Sequence, residues 1–204
     1  MSRANVSAKF FLEGLKGALD SATDAELAFA WSSSQRRTAY YRGALMSSIS
    51  KHMMLRLECE ILLVDFSLHD EESGIPLVFI ESENDSFSAM QEIGKLATLR
   101  APLRVLFSVV PWLPDPNVWP PNGGLRDVLL PQWRAMAARY DLAYGGPSGH
   151  CVAVIGEWRR DATLVFYAHS LSGADAPGLS SRDEIVWSRR LSVAQPSASA
   201  ARRE

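Results

Sequence analysis

Long apolar runs are what this chain most plainly lacks. In 204 residues no stretch approaches the roughly 18–20 apolar positions that cross a bilayer as a helix, so no membrane partner is expected. The opening MSRANVSAKFFLEGLKGALD is broken by charges every few positions and has no apolar centre of the signal-peptide kind, which predicts a cytoplasmic protein. Cysteine is scarce. Cys59 and Cys151 sit in apolar, strand-like runs without metal-type spacing, and are expected to be reduced packing residues. The four histidines, His52, His69, His150 and His169, form no His-x-x-x-His or Cys/His pattern, which argues against zinc. Phosphate-binding and dinucleotide fingerprints are absent, and GGPSGH at 145–150 lacks the order of a nucleophile elbow, so it reads as a glycine-rich turn. Charge of one sign is missing too: the formal net charge is −2, which argues against a protein that coats DNA through its overall field. It leaves room for a cluster of catalytic carboxylates, which lowers the net charge while basic residues gather locally.

What is present is ordinary globular material, 47% hydrophobic and 22% charged, enough for one domain with a sizeable core. Residues 8–19 place Phe11, Leu12, Leu15 and Leu19 at helical spacing, and a second helix is predicted around 24–31, with 40–50 continuing helically. Residues 54–68 are β-compatible and alternate early; HDEESG is a polar turn, and IPLVFIESE is the next strand. A helix then begins near Asp85 or Ser86, with Ser88 and Gln91 as a weak capping box and Met90, Ile93, Leu96 and Ala97 as its apolar stripe. Pro102 ends it before LRVLFSVV, an all-apolar strand expected to lie buried and parallel to the previous one. Residues 111–124, rich in Pro, Asn and Gly, form a long loop in which Trp112 and Trp119 could stack on bases, seal an interface or pack onto their own domain. A helix over 125–140 with a break at Pro131, a hairpin of 151–156 with 163–168, and a last short helix at 183–191 complete the pass. One domain is expected over 1–190, followed by a disordered tail at 191–204.

The stretch VFIESENDSF raises the functional question. Glu81 and Glu83 end an apolar strand pointing the same way. A hairpin centred near Glu72–Ser73 sets Asp65 opposite Glu81, with Val64, Phe66, Val78 and Ile80 on the other face. Three like charges on one face repel each other, and a divalent cation removes that penalty, which suits an oxygen site for Mg²⁺ or Mn²⁺. The alternative from the residues alone is a strand that has reached the surface.

The order of helix, strand, Asp-bearing strand, hairpin into a Glu-x-Glu strand, helix and buried parallel strand resembles the core of the PD-(D/E)xK, restriction-endonuclease-like nucleases over residues 8–110. The resemblance implies an α/β fold, a mixed β-sheet with flanking helices. It puts Asp65 and Glu81 as metal ligands and Gln91 as the glutamine often found on the next helix. Glu60, Glu58 or Glu13 would be an additional upstream acid. The chain departs from the pattern in having Val64 rather than proline before Asp65, and Glu83 where the family has lysine. Lys95, four residues after Gln91 on the same helix face, is the candidate for a lysine moved to the helix. Glu83 or Lys95 would then orient or deprotonate the attacking water, with Arg100 and Arg104 as phosphate contacts. The expectation is a metal-dependent nuclease acting on DNA, or alternatively RNA, alone or as a homo-oligomer. The rival is a nuclease-like fold that binds without cleaving.

Overall fold

The computed structural model describes residues 6–114, 124–146, 149–171 and 184–192. Four helices come first. α1 (Ala8–Ser21) starts at Ser7, whose side chain accepts the Phe10 N–H, and α2 (Asp24–Trp31) starts at a reciprocal Thr23/Glu26 capping box. α3 (Ser34–Tyr40), capped by Ser33, runs through one π-helical turn (Tyr41–Leu45) into α4 (Met46–Met53), which stops at left-handed Met54.

Seven strands then form one sheet in sequence order: β1 (Arg56–Ile61), β2 (Val64–His69), β3 (Pro76–Glu83), β4 (Leu103–Val109), β5 (His150–Trp158), β6 (Thr163–Ser170) and β7 (Glu184–Arg190). The outer pairs are antiparallel, while β3, β4 and β5 are mutually parallel. Parallel neighbours need crossovers, supplied by α5 (Ala89–Thr98) and α6 (Arg126–Ala143). The order advances one way from β3 to β5, so crossovers of one hand return over the same face. On that face Ile93 and Leu96 of α5 and Leu129 and Trp133 of α6 pack with Phe79, Leu106 and Ile155. α1 to α4 cover the opposite face, where Phe11, Leu15, Tyr41 and Ile49 meet Phe66, Val105, Phe107 and Phe166. The result is a mixed α/β fold, a seven-stranded mixed sheet between two helical layers. No helix among the described residues is long and apolar enough to cross a membrane.

Five local expectations are corrected. The helix predicted at 183–191 is strand β7: Ile185, Val186 and Trp187 favour extended backbone and supply β6 with a hydrogen-bonded neighbour. Pro131 does not break α6, because in the second turn its missing N–H releases only one carbonyl. Ser88 makes no side-chain cap; its hydroxyl donates back to the Asp85 carbonyl, and Gln91 stays exposed. Val64 packs on the α5 face with Phe79 rather than with Phe66, and Cys59 is exposed while Cys151 is buried. The expected tail begins at the edge of what is described, and 193–204 lie outside the described residues.

Candidate active site

Phe66 pairs with Ile80 and Ser67 with Phe79, so one step further along the hairpin Asp65 comes level with Glu81. Both alternate onto the face covered by α5. Asp65 is half-buried, and its Oδ2 accepts the Ser82 N–H at 2.9 Å. Burial pushes its pKa above the ordinary carboxylate value, against the pull of that hydrogen bond and of Lys95. Glu81 is only 2% exposed. Burial, with the charges of Glu92 and Asp65, pushes its pKa up to about 7 although Lys95 opposes the shift.

Lys95 is the cation that α5 brings to this acid. Its Nζ lies 2.6 Å from Glu81 Oε1 and 2.5 Å from Glu92 Oε2, and it donates to the Leu63 carbonyl at 2.9 Å. The two carboxylate contacts are close ion pairs in which Glu81 and Glu92 share one ammonium. Partial burial works against the ammonium charge, but the carboxylates outweigh it and raise the Lys95 pKa above its ordinary value. Glu92 was missed by sequence reasoning, although its place three residues before Lys95 was a readable signal.

The other expected site residues lie around this group. Glu83 is half-exposed, and its Oε1 accepts the Asp85 N–H at 2.7 Å, which turns the carboxylate into its own loop. Gln91 lies with Met90, Gly94, Lys95, Met136 and Tyr140 along an α5/α6 groove of about 390 Å³. Glu60 comes level with Asp65, since Cys59 pairs with Phe66 and Ile61 with Val64, yet its carboxylate pairs with Arg42. Glu58 pairs with Arg56 at 2.6 Å, and exposed Glu13 belongs to α1, in the layer on the opposite face. Arg104 is corrected outright: it is 1% exposed and its Nη2 donates to the Gly149 carbonyl at 3.0 Å, so it fastens the start of β5 and faces no phosphate. Arg100 is exposed.

The hairpin beside the site carries an oddity that 54–68 hid in the sequence. β1 and β2 are joined by two residues, Leu62 (φ 56°) and Leu63 (φ 65°), and Glu60 is left-handed as well (φ 57°). Such a turn wants Asn-Gly, and each non-glycine residue in this region costs roughly 1–2 kcal/mol. The turn was not visible because leucine is no turn residue.

A second buried carboxylate lies on the same face. Glu157 Oε1 accepts the N–H groups of Trp112 (2.8 Å) and Leu113 (3.3 Å), while Oε2 accepts the Tyr167 hydroxyl (2.8 Å) and Arg159 Nε (3.3 Å). Trp112 stacks on Trp133 with centroids 5.8 Å apart and donates from Nε1 to His169 Nε2 at 3.1 Å. Burial, with Arg134 and Arg126 nearby, pushes the His169 pKa down to about 4. Trp112 is thus a core residue and not a base-stacking one, while Trp119 lies outside the described residues.

Asp65 and Glu81 are the two carboxylates here that could hold a small hard cation. Mg²⁺ is commonly held by one or two carboxylates, with water and phosphate completing the shell, and Asp65 and Glu81 supply two. Among the described residues no three His, Cys, Asp or Glu side chains converge as a ready-made cage. No protein-family model, no curated protein and no solved structure matches this chain.

Proposed function

We propose that the chain is a divalent-metal-dependent phosphodiesterase acting on nucleic acid, of the restriction-endonuclease-like kind, with Asp65 and Glu81 as ligands of Mg²⁺ or Mn²⁺. The observation that carries the reading is Lys95: the cation missing from the Glu-x-Glu strand arrives from the next helix and sits 2.6 Å from Glu81. Bound there, the metal would lower the pKa of a water and neutralise charge on the scissile phosphate. The side chains divide the remaining work. Lys95, its proton held more tightly than usual, stabilises negative charge and does not serve as a base. Glu92 holds Lys95 in place from the same helix. Glu83 would take a proton from water once its side chain leaves the Asp85 N–H.

The test is cleavage of single- and double-stranded DNA and RNA with Mg²⁺ or Mn²⁺. Asp65→Asn and Glu81→Gln should abolish cleavage, and Lys95→Met should lower the rate about 10²–10³-fold. One observation favours a second reading, in which the fold binds nucleic acid without cutting it. The three N–H bonds of Lys95 already face Glu81, Glu92 and the Leu63 carbonyl, leaving none over for a phosphate. Binding without cleavage by the wild type would establish that reading.

A further inference from the structure

The β1–β2 turn combines three features that packing does not explain. Leu62 and Leu63 both adopt left-handed backbone, where asparagine and glycine would be free of strain. Their side chains are 59% and 86% exposed, so they contribute little to the core. The Leu63 carbonyl accepts the Lys95 ammonium at 2.9 Å, which ties the turn to the cation beside Glu81. Strain kept at an exposed apolar tip, joined by one hydrogen bond to the acidic site, points to a role outside the fold.

We propose that Leu62 and Leu63 form a wedge that enters between stacked base pairs of a double-stranded nucleic acid while its backbone lies at Asp65, Glu81 and Lys95. The inference rests on the phosphodiesterase reading and names its substrate class, a duplex that can be opened at a step. Two aliphatic side chains on a rigid two-residue turn cannot bind a phosphate. They can replace base-stacking contacts, the way apolar side chains kink duplexes elsewhere. The tether fixes the register, because the lysine that pairs with Glu81 also holds the Leu63 carbonyl, so a backbone held at Asp65 and Glu81 lies beside the residue that carries the wedge. Steps that unstack readily, and mismatches above all, are the preferred entry points.

The test is Leu62→Asn with Leu63→Gly, the pair best suited to such a turn. It keeps the backbone carbonyl that Lys95 uses and removes both side chains, and the melting temperature should rise by about 3–8 °C as strain is relieved. Leu63→Gln is a second variant that keeps the side-chain length and loses the apolar tip. The substrate is an oligonucleotide carrying 2-aminopurine, presented as a duplex and as the matching single strand, with Mn²⁺. Wild type should raise the duplex fluorescence by unstacking the probe and should cleave the duplex. Both variants should lose the rise and cleave the duplex about tenfold more slowly, with single-strand cleavage within about twofold of wild type. Unchanged duplex fluorescence and cleavage in the variants would overturn the wedge and leave the phosphodiesterase reading standing, with the tip then a protein-docking element. Equal loss on both substrates would also overturn it, making the turn a support for Lys95. Absence of binding and cleavage in wild type would remove the phosphodiesterase reading first, and the wedge with it.

Discussion

Glu81 and Glu157 are two buried carboxylates on the same face of one sheet, 2% and 6% exposed, and they are treated in opposite ways. Glu157 is saturated, with two backbone N–H groups, a tyrosine hydroxyl and an arginine converging on its two oxygens. Glu81 has other carboxylates nearby and a lysine that it shares with Glu92. Burial costs both of them solvation; four donors compensate Glu157, whereas one shared ammonium compensates Glu81. A saturated carboxylate fastens structure: Glu157 holds the segment after β4 to β5 and β6. The proposed site is placed at Glu81 because this buried carboxylate, beside Asp65, relies on a lysine that it shares with Glu92.

The comparison can be broken most forcefully at Glu157. Glu157→Ala leaves two buried backbone N–H groups, a tyrosine hydroxyl and Arg159 without their shared acceptor, and should cost about 3–5 kcal/mol in a denaturant titration. A loss below about 1 kcal/mol would mean that the network is not structural.

Titration sharpens the contrast, because the two regions respond to pH with opposite sign. The Glu81 pKa is raised from 4.5 to about 7, so the folded chain keeps a proton that the unfolded chain releases, and stability falls as pH rises across that window. The His169 pKa is lowered from 6.5 to about 4, so the unfolded chain takes up a proton that the folded one refuses, and stability falls as pH drops across that window. Each is of order 3 kcal/mol, and between about pH 4.5 and 6.5 the two offset each other. Urea titrations of wild type should therefore show a shallow profile there. Glu81→Gln should make stability rise with pH, and His169→Gln should make it fall. Parallel profiles for both variants would refute the opposed shifts.

A smaller effect is expected at the edge of the saturated network. Trp112→Phe keeps the ring stacked on Trp133 but removes the donor to His169, and should cost about 1–2 kcal/mol. Thermal melting checks it, and an unchanged value would mean that the bond adds nothing net.

How far the sequence disclosed this arrangement depends on where the signal lies. The hairpin register was readable because HDEESG marks one turn and IPLVFIESE alternates cleanly into Glu81, which sets Asp65 and Glu81 level. The parallel β3–α5–β4 unit was readable from periodicity and Pro102. The Leu62–Leu63 turn was not, since its conformation contradicts the preference of its residues. Glu157, Trp112 and His169 meet across 45 and 57 residues, a closeness that only the sheet order creates. Strand β7 read as a helix because seven residues hold too few periods to separate the two patterns, and its partner β6 decided the matter.

The central claim is that Glu81, held by one shared lysine, takes a divalent cation and that saturated Glu157 does not. Denaturant titration of wild type, Glu81→Gln and Asp65→Asn at pH 7.5, in chelator and in Mn²⁺, tests it without requiring a substrate. Mn²⁺ at about one hundred times its dissociation constant should stabilise wild type by about 2.7 kcal/mol and leave both variants unchanged. Equal responses of wild type and variants, or no response from wild type up to millimolar Mn²⁺, would contradict it.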